Sequence, residues 1–227
     1  MKNKIKMSLI LNVLICFSSL IGLFVTLFGN DFMSYSEFLY YTIQSNIFAL
    51  IMSSFFVYYD LKLIYNNNTA IPEVMYILKY IVTSGITITF LIFTFTLMPQ
   101  MIMLNNYAYL ANIGNLTLHF ISPILSIIVF VLFDNEFSYN KKTCFLGTIM
   151  PWYYFFFSMF LSLISSTGFF KILNGEPSKF PYFFLDYEKN GWFSLGNMFE
   201  LGVFYWIIII CLLSLVISKL LLKLKKD

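Results

Sequence analysis

The chain has 227 residues, of which 59% are apolar, 21% are aromatic and only 11% are charged. A water-soluble domain needs far more charge to cover its surface, so this composition excludes a soluble protein and indicates an integral membrane protein. The formal net charge is +3, and it comes from lysines that flank apolar stretches. We therefore attribute the charge to membrane orientation, and we expect no nucleic-acid partner.

Six apolar stretches follow one another in chain order, each close to the ~20 residues that cross the hydrocarbon as a helix. Their bounds are roughly 7–28, 37–58, 74–98, 110–133, 144–167 and 198–220. No soluble domain fits in the remainder. The sequence therefore predicts an all-α fold in which residues 1–227 form a single bundle of six transmembrane helices.

The first stretch follows Lys2, Lys4 and Lys6 and is in that respect similar to a secretory signal peptide. It stays apolar from Met7 to Phe28 and shows no small-residue cleavage site. We expect a retained first span.

Lysine placement predicts the orientation, because the chain contains no arginine. If the N-terminus is cytoplasmic, the outer connections carry only Lys171, Lys179 and Lys189, and the other eleven of the fourteen lysines lie on the inner side. We therefore expect both termini in the cytoplasm and a multi-pass protein of the cell membrane.

The second and fourth spans each carry uncharged polar groups at helical spacing. In the second span Thr42, Ser45 and Asn46 stand at i, i+3 and i+4 and share one side of the helix. The fourth span has a similar stripe, composed of Asn112, Asn115, His119 and Ser122. Unsatisfied polar groups that faced lipid would be costly, so both stripes are expected to point into the bundle and to form a polar pocket.

Thr42 and His119 are the candidate catalytic pair. His119 is the only histidine, and a helical rise of about 1.5 Å per residue places both residues roughly 9 to 14 Å below the outer boundary. A threonine hydroxyl needs a base within reach to act as a nucleophile, and a neutral imidazole at equal depth is such a base. The alternatives are that Thr42 bonds the carbonyl of Phe38 and that His119 is a packing residue.

Pro123 follows His119 by four residues. Because proline has no N–H, it leaves the His119 carbonyl without its usual helical donor, which predicts a local bend.

The fifth connection, about 168–197, is long enough to indicate a functional role. Its aromatic segment 180–186 is too apolar to remain in water. We expect it to fold back onto the outer mouth of the bundle, where two interpretations stay open: an interfacial aromatic belt, or a lid over a site.

Charged residues are absent from the predicted span centres, because Glu37, Lys79 and Glu200 lie near span ends. Ion-coupled transporters usually keep an intramembrane ionisable group, so this pattern counts against one. The three cysteines, Cys16, Cys144 and Cys211, predict neither a disulfide framework nor a metal site.

Several short runs resemble the androgen-induced and androgen-dependent TFPI-regulating membrane proteins and their bacterial relatives. The runs are 40–46 (YYTIQSN), 118–123 (LHFISP), 151–154 (PWYY) and 180–186 (FPYFFLD), followed by Gly191 and Asn197. The resemblance thus extends over nearly the whole chain. It implies a six-span threonine hydrolase of fatty acid esters of hydroxy fatty acids, with the threonine role on Thr42 and the histidine role on His119.

We therefore expect hydrolysis or acyl transfer on a lipid or fatty acyl ester, without a cofactor or metal. Thr42 would attack the carbonyl and His119 would accept and later return the proton. Asn46 and Asn115 are candidates for donating to the oxyanion or orienting the histidine, and Asp186 for orienting His119 if the long loop folds inward. The alternative is a non-catalytic lipid-binding or transport protein. The oligomeric state is left open.

Overall fold

The computed structural model describes residues 2–29, 35–66, 70–134, 136–165, 168–171, 177–197 and 200–225. It confirms a helical fold with six helices that are long and apolar enough to cross a membrane. Their bounds are Lys2–Phe28, Tyr41–Tyr65, Glu73–Met103, Ile113–Leu132, Thr143–Ile164 and Val203–Leu224.

Some of these spans are built from several helical pieces. The α-helices are α1 (Lys2–Phe28), α2 (Tyr41–Tyr65), α3 (Glu73–Ile92), α4 (Met98–Met103), α5 (Tyr107–Leu110), α6 (Ile113–Leu116), α7 (Ser122–Leu132), α8 (Ile149–Ile164), α9 (Tyr187–Asn190) and α10 (Val203–Leu224). Two π-helical turns, Phe93–Leu97 and Thr117–Ile121, join α3 to α4 and α6 to α7. A 3₁₀ segment, Thr143–Thr148, leads into α8.

The first two spans, α1 and α2, run antiparallel. The Ser8 hydroxyl near the start of α1 donates to Asp60 near the end of α2 at 2.8 Å, and Leu23 and Ile43 pack together near the opposite ends. The end of the bundle at which α2 and α10 begin is called the loop face. The end where α1 begins and α10 ends is the terminal face.

The second span differs most from its predicted bounds of 37–58, because α2 begins at Tyr41 and continues to Tyr65. In the sequence, the polar residues near its end predict that the span stops there. In the fold, Asp60 is buried and accepts hydrogen bonds from Ser8 and Asn12 of α1. Partners on another helix therefore allow the helix to continue through a carboxylate.

Small polar side chains join the helices inside the bundle. The hydroxyls of Ser18 and Ser19 on α1 contact the Ser122 hydroxyl at 2.7 and 3.1 Å, and Ser45 on α2 meets Thr89 on α3 at 2.9 Å. All of these side chains are buried. Such bonds fix the rotation of helices whose apolar surfaces gain little from leaving lipid.

The long fifth connection folds against the loop face. Phe170 pairs with Ser178 in a two-residue antiparallel ribbon, and a 3₁₀ turn, Phe183–Leu185, precedes α9. Phe183 and Phe184 both pack on Trp206 of α10, with ring centroids 5.5 and 5.7 Å away. These contacts tie the aromatic segment to the last span.

Candidate active site

Thr42 is the second residue of α2, at the loop face. Its carbonyl accepts two side-chain hydrogen bonds, from Ser45 at 3.0 Å and from the Asn46 amide at 2.9 Å. The same Asn46 amide donates to the Leu118 carbonyl at 3.0 Å. Asn46 thereby links the beginning of α2 to the turn that carries His119.

His119 lies in the π-helical turn Thr117–Ile121, and its imidazole stacks on Phe93 with a centroid distance of 3.9 Å. Phe93 is the first residue of the other π-helical turn found among the described residues. Each turn ends two residues before a proline, Pro99 or Pro123. A proline removes the donor of an ordinary helical bond, and the wider turn offers a bond to the fifth residue instead.

The two π turns meet beside a cavity, to which Phe93 and His119 both contribute. Its walls come from six parts of the chain and are almost wholly apolar. The lining residues are Tyr41, Thr42, Ile88, Thr89, Ile92, Phe93, Leu97, His119, Pro151, Trp152, Tyr154, Phe155, Tyr182, Phe184, Leu185, Ile207, Ile210 and Cys211. Thr42 and His119 both line this space, but it is apolar and is not the polar pocket that the two stripes predicted.

Three tyrosine hydroxyls cluster at the polar end of this cavity. Tyr41 donates to the Gly85 carbonyl at 3.1 Å, and Tyr154 donates to the Leu39 carbonyl at 3.0 Å. The hydroxyl of Tyr182 lies near the Thr42 side chain. Two of the three O–H donors are thus committed to the main chain, and the third lies at the candidate nucleophile.

The alternative role for Thr42 was a bond from its hydroxyl to the Phe38 carbonyl. Among the described residues that carbonyl instead accepts a bond from the Gln44 amide, at 3.2 Å. The Thr42 hydroxyl faces the cavity and Tyr182.

The imidazole of His119 is 7% exposed, and its Nδ1 atom is buried without a hydrogen-bond partner in the part of the chain that the structure describes. A buried polar atom without a partner is costly and calls for an explanation. Stacking on Phe93 fixes the ring plane without using either nitrogen. The imidazole is therefore held in place by packing and not by a hydrogen bond to Nδ1.

The remaining candidate residues lie outside the cavity lining. Both amide hydrogens of Asn46 are used to hold carbonyls, and the amide of Asn115 donates to the Tyr109 carbonyl at 2.7 Å. Asp186 caps α9 by accepting from the Lys189 N–H at 2.9 Å. The structure thus gives Asn46, Asn115 and Asp186 hydrogen bonds to main-chain groups.

The polar stripe expected along the fourth span is divided between different neighbours. Asn112 caps α6 through the Gly114 N–H, and Ser122 faces α1, whereas His119 faces the cavity. The π turn is the reason, because one extra residue per turn rotates everything after it relative to an ideal helix. Spacing of three and four residues therefore does not define one face here.

The aromatic segment 180–186 supplies Tyr182, Phe184 and Leu185 to the cavity wall. The rings of Tyr182 and Phe184 are stacked nearly parallel, 5.1 Å apart. Asn190 donates to the Phe183 carbonyl at 2.8 Å and holds the turn from behind. Part of the segment therefore forms a wall of the cavity, which is consistent with the lid interpretation.

A second polar cluster lies near the terminal face. The ammonium of Lys79 pairs with Asp134 at 2.9 Å and lies 3.6 Å from the centre of the Phe56 ring. Asp60 is buried nearby, within electrostatic range of Lys79. The sequence placed Lys79 near a span end but gave no sign that it is buried with two carboxylates.

No group of three histidine, cysteine or acidic side chains in the described ranges is arranged to hold a metal ion.

The sequence analysis missed the tyrosine hydroxyls and Phe93. A usable signal was present, because each of the four runs 40–46, 118–123, 151–154 and 180–186 contributes residues to the same cavity. The second signal was the pair Pro99 and Pro123, which mark the π turns.

Comparison of the chain with protein-family models, with curated proteins and with solved structures finds no match.

Proposed function

We propose that this protein is an integral membrane hydrolase or acyltransferase of lipid esters, with Thr42 as nucleophile and His119 as base. The observation that carries the proposal is that these two side chains, from different helices, line one apolar cavity. An otherwise apolar pocket with a few converging polar groups is the usual form of a binding or active site. The unpartnered Nδ1 of His119 supports the same assignment.

In the proposed reaction, the Thr42 oxygen bonds to the ester carbonyl carbon while its proton passes to the His119 imidazole. The tetrahedral intermediate then collapses, the bond to the alcohol oxygen breaks, and His119 returns the proton to the leaving alcohol. Water, or a second alcohol, attacks the resulting threonine ester in the same way and releases the acyl group. Protons and bonds balance without a cofactor.

The proposed substrate is a lipid or fatty acyl ester. Thr42, His119 and Tyr182 supply polar groups to the lining, and the rest of it includes isoleucine side chains of α3 and α10 and aromatic side chains of α8. Burial of an acyl chain in such a space contributes about 0.8 kcal/mol per CH₂. The ester group would then lie at the hydroxyl cluster.

The lid geometry of segment 180–186 predicts an effect of chain length. Replacing Phe184 with Ala should lower kcat/KM for a long-chain ester about 10-fold more than for a short one, because only the long chain draws binding energy from this wall. Phe183→Ala is the matched control, since Phe183 packs on Trp206 but does not line the cavity. Equal losses on both esters for Phe184→Ala would identify the segment as an anchor.

We further propose that both termini are cytoplasmic and that the membrane is the cell membrane, on the basis of the lysine distribution. In a variant without native cysteines, Ser178→Cys should react with an impermeant thiol reagent in intact cells. Asn140→Cys, in the connection between α7 and α8, should be protected until the cells are opened. The reverse pattern would invert the molecule and direct the cavity toward the inner leaflet.

The second candidate function is non-catalytic lipid binding or transport. The observation in its favour is the buried cluster of Asp60, Lys79 and Asp134, because ionisable groups within membrane helices often accompany ion or substrate movement. Reaction with a lipophilic fluorophosphonate separates the two functions. An enzyme of the proposed type becomes covalently labelled at Thr42, whereas a binding protein does not.

A further inference from the structure

A groove on the terminal face lies between residues 139–145 and the last turns of α10. Its volume is about 590 Å³, which is within the range of small-molecule sites. The lining includes Tyr139, Lys141, Phe145, Lys219 and Leu222. The groove is at the opposite end of the bundle from the cavity at the loop face, and the proposed catalytic function does not use it.

The two walls of the groove are held together by close packing. Gly147 in the 3₁₀ segment approaches α10 so closely that a Cβ atom at this position would collide with the Ser218 side chain. Beside it, Asn140 and Thr143 close a turn through two hydrogen bonds of 3.0 Å, one from each backbone N–H. The backbone on both sides of Lys141 is therefore fixed, and the groove is a formed feature of the fold.

The groove carries positive charge from both of its walls. Lys141 and Lys219 both line it, and both are exposed. Neither forms an ion pair within the part of the chain that the structure describes. The neighbouring carboxylate of Glu136 is directed to α3, where it accepts a hydrogen bond from Tyr76 at 3.3 Å. The two ammonium groups are thus available to an anion from outside the chain.

The groove also has an apolar wall at the depth of the membrane boundary. It lies where the candidate span Thr143–Ile164 begins and the candidate span Val203–Leu224 ends. Phe145 lines it and is 61% exposed, and Leu222 lines it from α10. A lysine near a span end places its stem along apolar surface and its ammonium at the level of the lipid headgroups. Cations and an exposed apolar wall therefore occur together at that level.

We propose that this groove binds one anionic phospholipid from the leaflet at the terminal face. The lipid phosphate lies between the ammonium groups of Lys141 and Lys219, which donate charge-assisted hydrogen bonds to it. An acyl chain of the same lipid lies against Phe145 and Leu222. Basic pockets between transmembrane helices are a recognised form of lipid headgroup site. A soluble phosphate would use the two cations but not the apolar wall.

Two double variants with the same change of charge test the site. Lys141→Gln, Lys219→Gln removes both cations of the groove, whereas Lys142→Gln, Lys223→Gln removes two equally exposed lysines that do not line it. The measurement is the Kd of phosphatidylglycerol for the protein purified in a neutral detergent, from native mass spectrometry of the complex with one lipid.

The groove variant should bind phosphatidylglycerol about 30-fold more weakly than the wild type, since each lysine contributes a factor of about 5 near an anionic group. The control variant should stay within about 2-fold of the wild type, because its charges lie outside the groove and are screened. Equal losses in the two folded variants would overturn the site and leave only a diffuse surface charge.

Three further measurements test the lipid itself. Phosphatidylcholine, whose choline balances the phosphate charge, should bind the wild type about 10-fold more weakly than phosphatidylglycerol. Phe145→Ala keeps both lysines and should weaken phosphatidylglycerol binding about 5-fold through lost apolar contact. Glycerol 3-phosphate in large excess should leave the bound lipid in place. Equal binding of the two lipids, an unchanged Kd in Phe145→Ala or displacement by glycerol 3-phosphate would each overturn the assignment of an anionic phospholipid.

Discussion

Replacing Thr42 with Ala is expected to lower the hydrolysis of a long-chain fatty acyl ester by at least about 1,000-fold. His119→Asn should have a comparable effect, because without a base the hydroxyl remains a weak nucleophile. The double variant should be no worse than either single one, since nucleophile and base act as a unit. The measurement is kcat/KM in detergent or lipid vesicles.

Ser54→Ala provides the control for these variants. Ser54 is a hydroxyl of the same helix, but it is exposed and bonds the Leu50 carbonyl at 2.8 Å, away from the cavity. It should retain wild-type activity. Full activity in a folded Thr42→Ala variant would remove the nucleophile assignment and favour the binding or transport function.

The Lys79–Asp134 pair should produce the largest effect on stability. Both side chains are at most 4% exposed, so Lys79→Met leaves a buried carboxylate without its cation and should cost about 3–5 kcal/mol in the free energy of unfolding. The variant Lys79→Met, Asp134→Leu should recover most of that loss, because two apolar side chains replace the pair. The measurement is denaturant or thermal unfolding in detergent.

The same variants separate a structural role of the pair from a role in transport. If the pair only joins the helices, the double variant should keep both its fold and its ester hydrolysis. A double variant as unstable as Lys79→Met would contradict the assignment of the loss to the uncompensated Asp134. Loss of activity in a stable double variant would link the terminal face to function.

Hydropathy sufficed to predict six spans, because crossing a membrane demands a run of apolar residues whatever the partners are. It failed at the end of α2, where it predicted a terminus near residue 58 and the helix continues to Tyr65. The reason is tertiary. Asp60 is compensated by Ser8 and Asn12, 52 and 48 residues away in sequence, and no local pattern indicates that pairing.

Part of the candidate site was predictable from the sequence. Thr42 and His119 were identified from residue chemistry and depth, and both face the cavity. Helical spacing failed beyond His119, because the π turn changes the angle per residue and directs Ser122 toward α1. Tyr182 belongs to the fifth connection, whose position over α2 depends on long-range aromatic packing that periodicity does not encode.

The most direct test of the account is to map the site of covalent modification by a lipophilic fluorophosphonate, using mass spectrometry of the purified protein. We predict a single phosphonyl adduct on Thr42 that is absent in His119→Asn and unchanged in Ser54→Ala. An adduct on another hydroxyl, such as Ser45 three residues further along α2, would contradict the assignment of the nucleophile. Absence of any adduct in the folded wild-type protein would contradict the catalytic function.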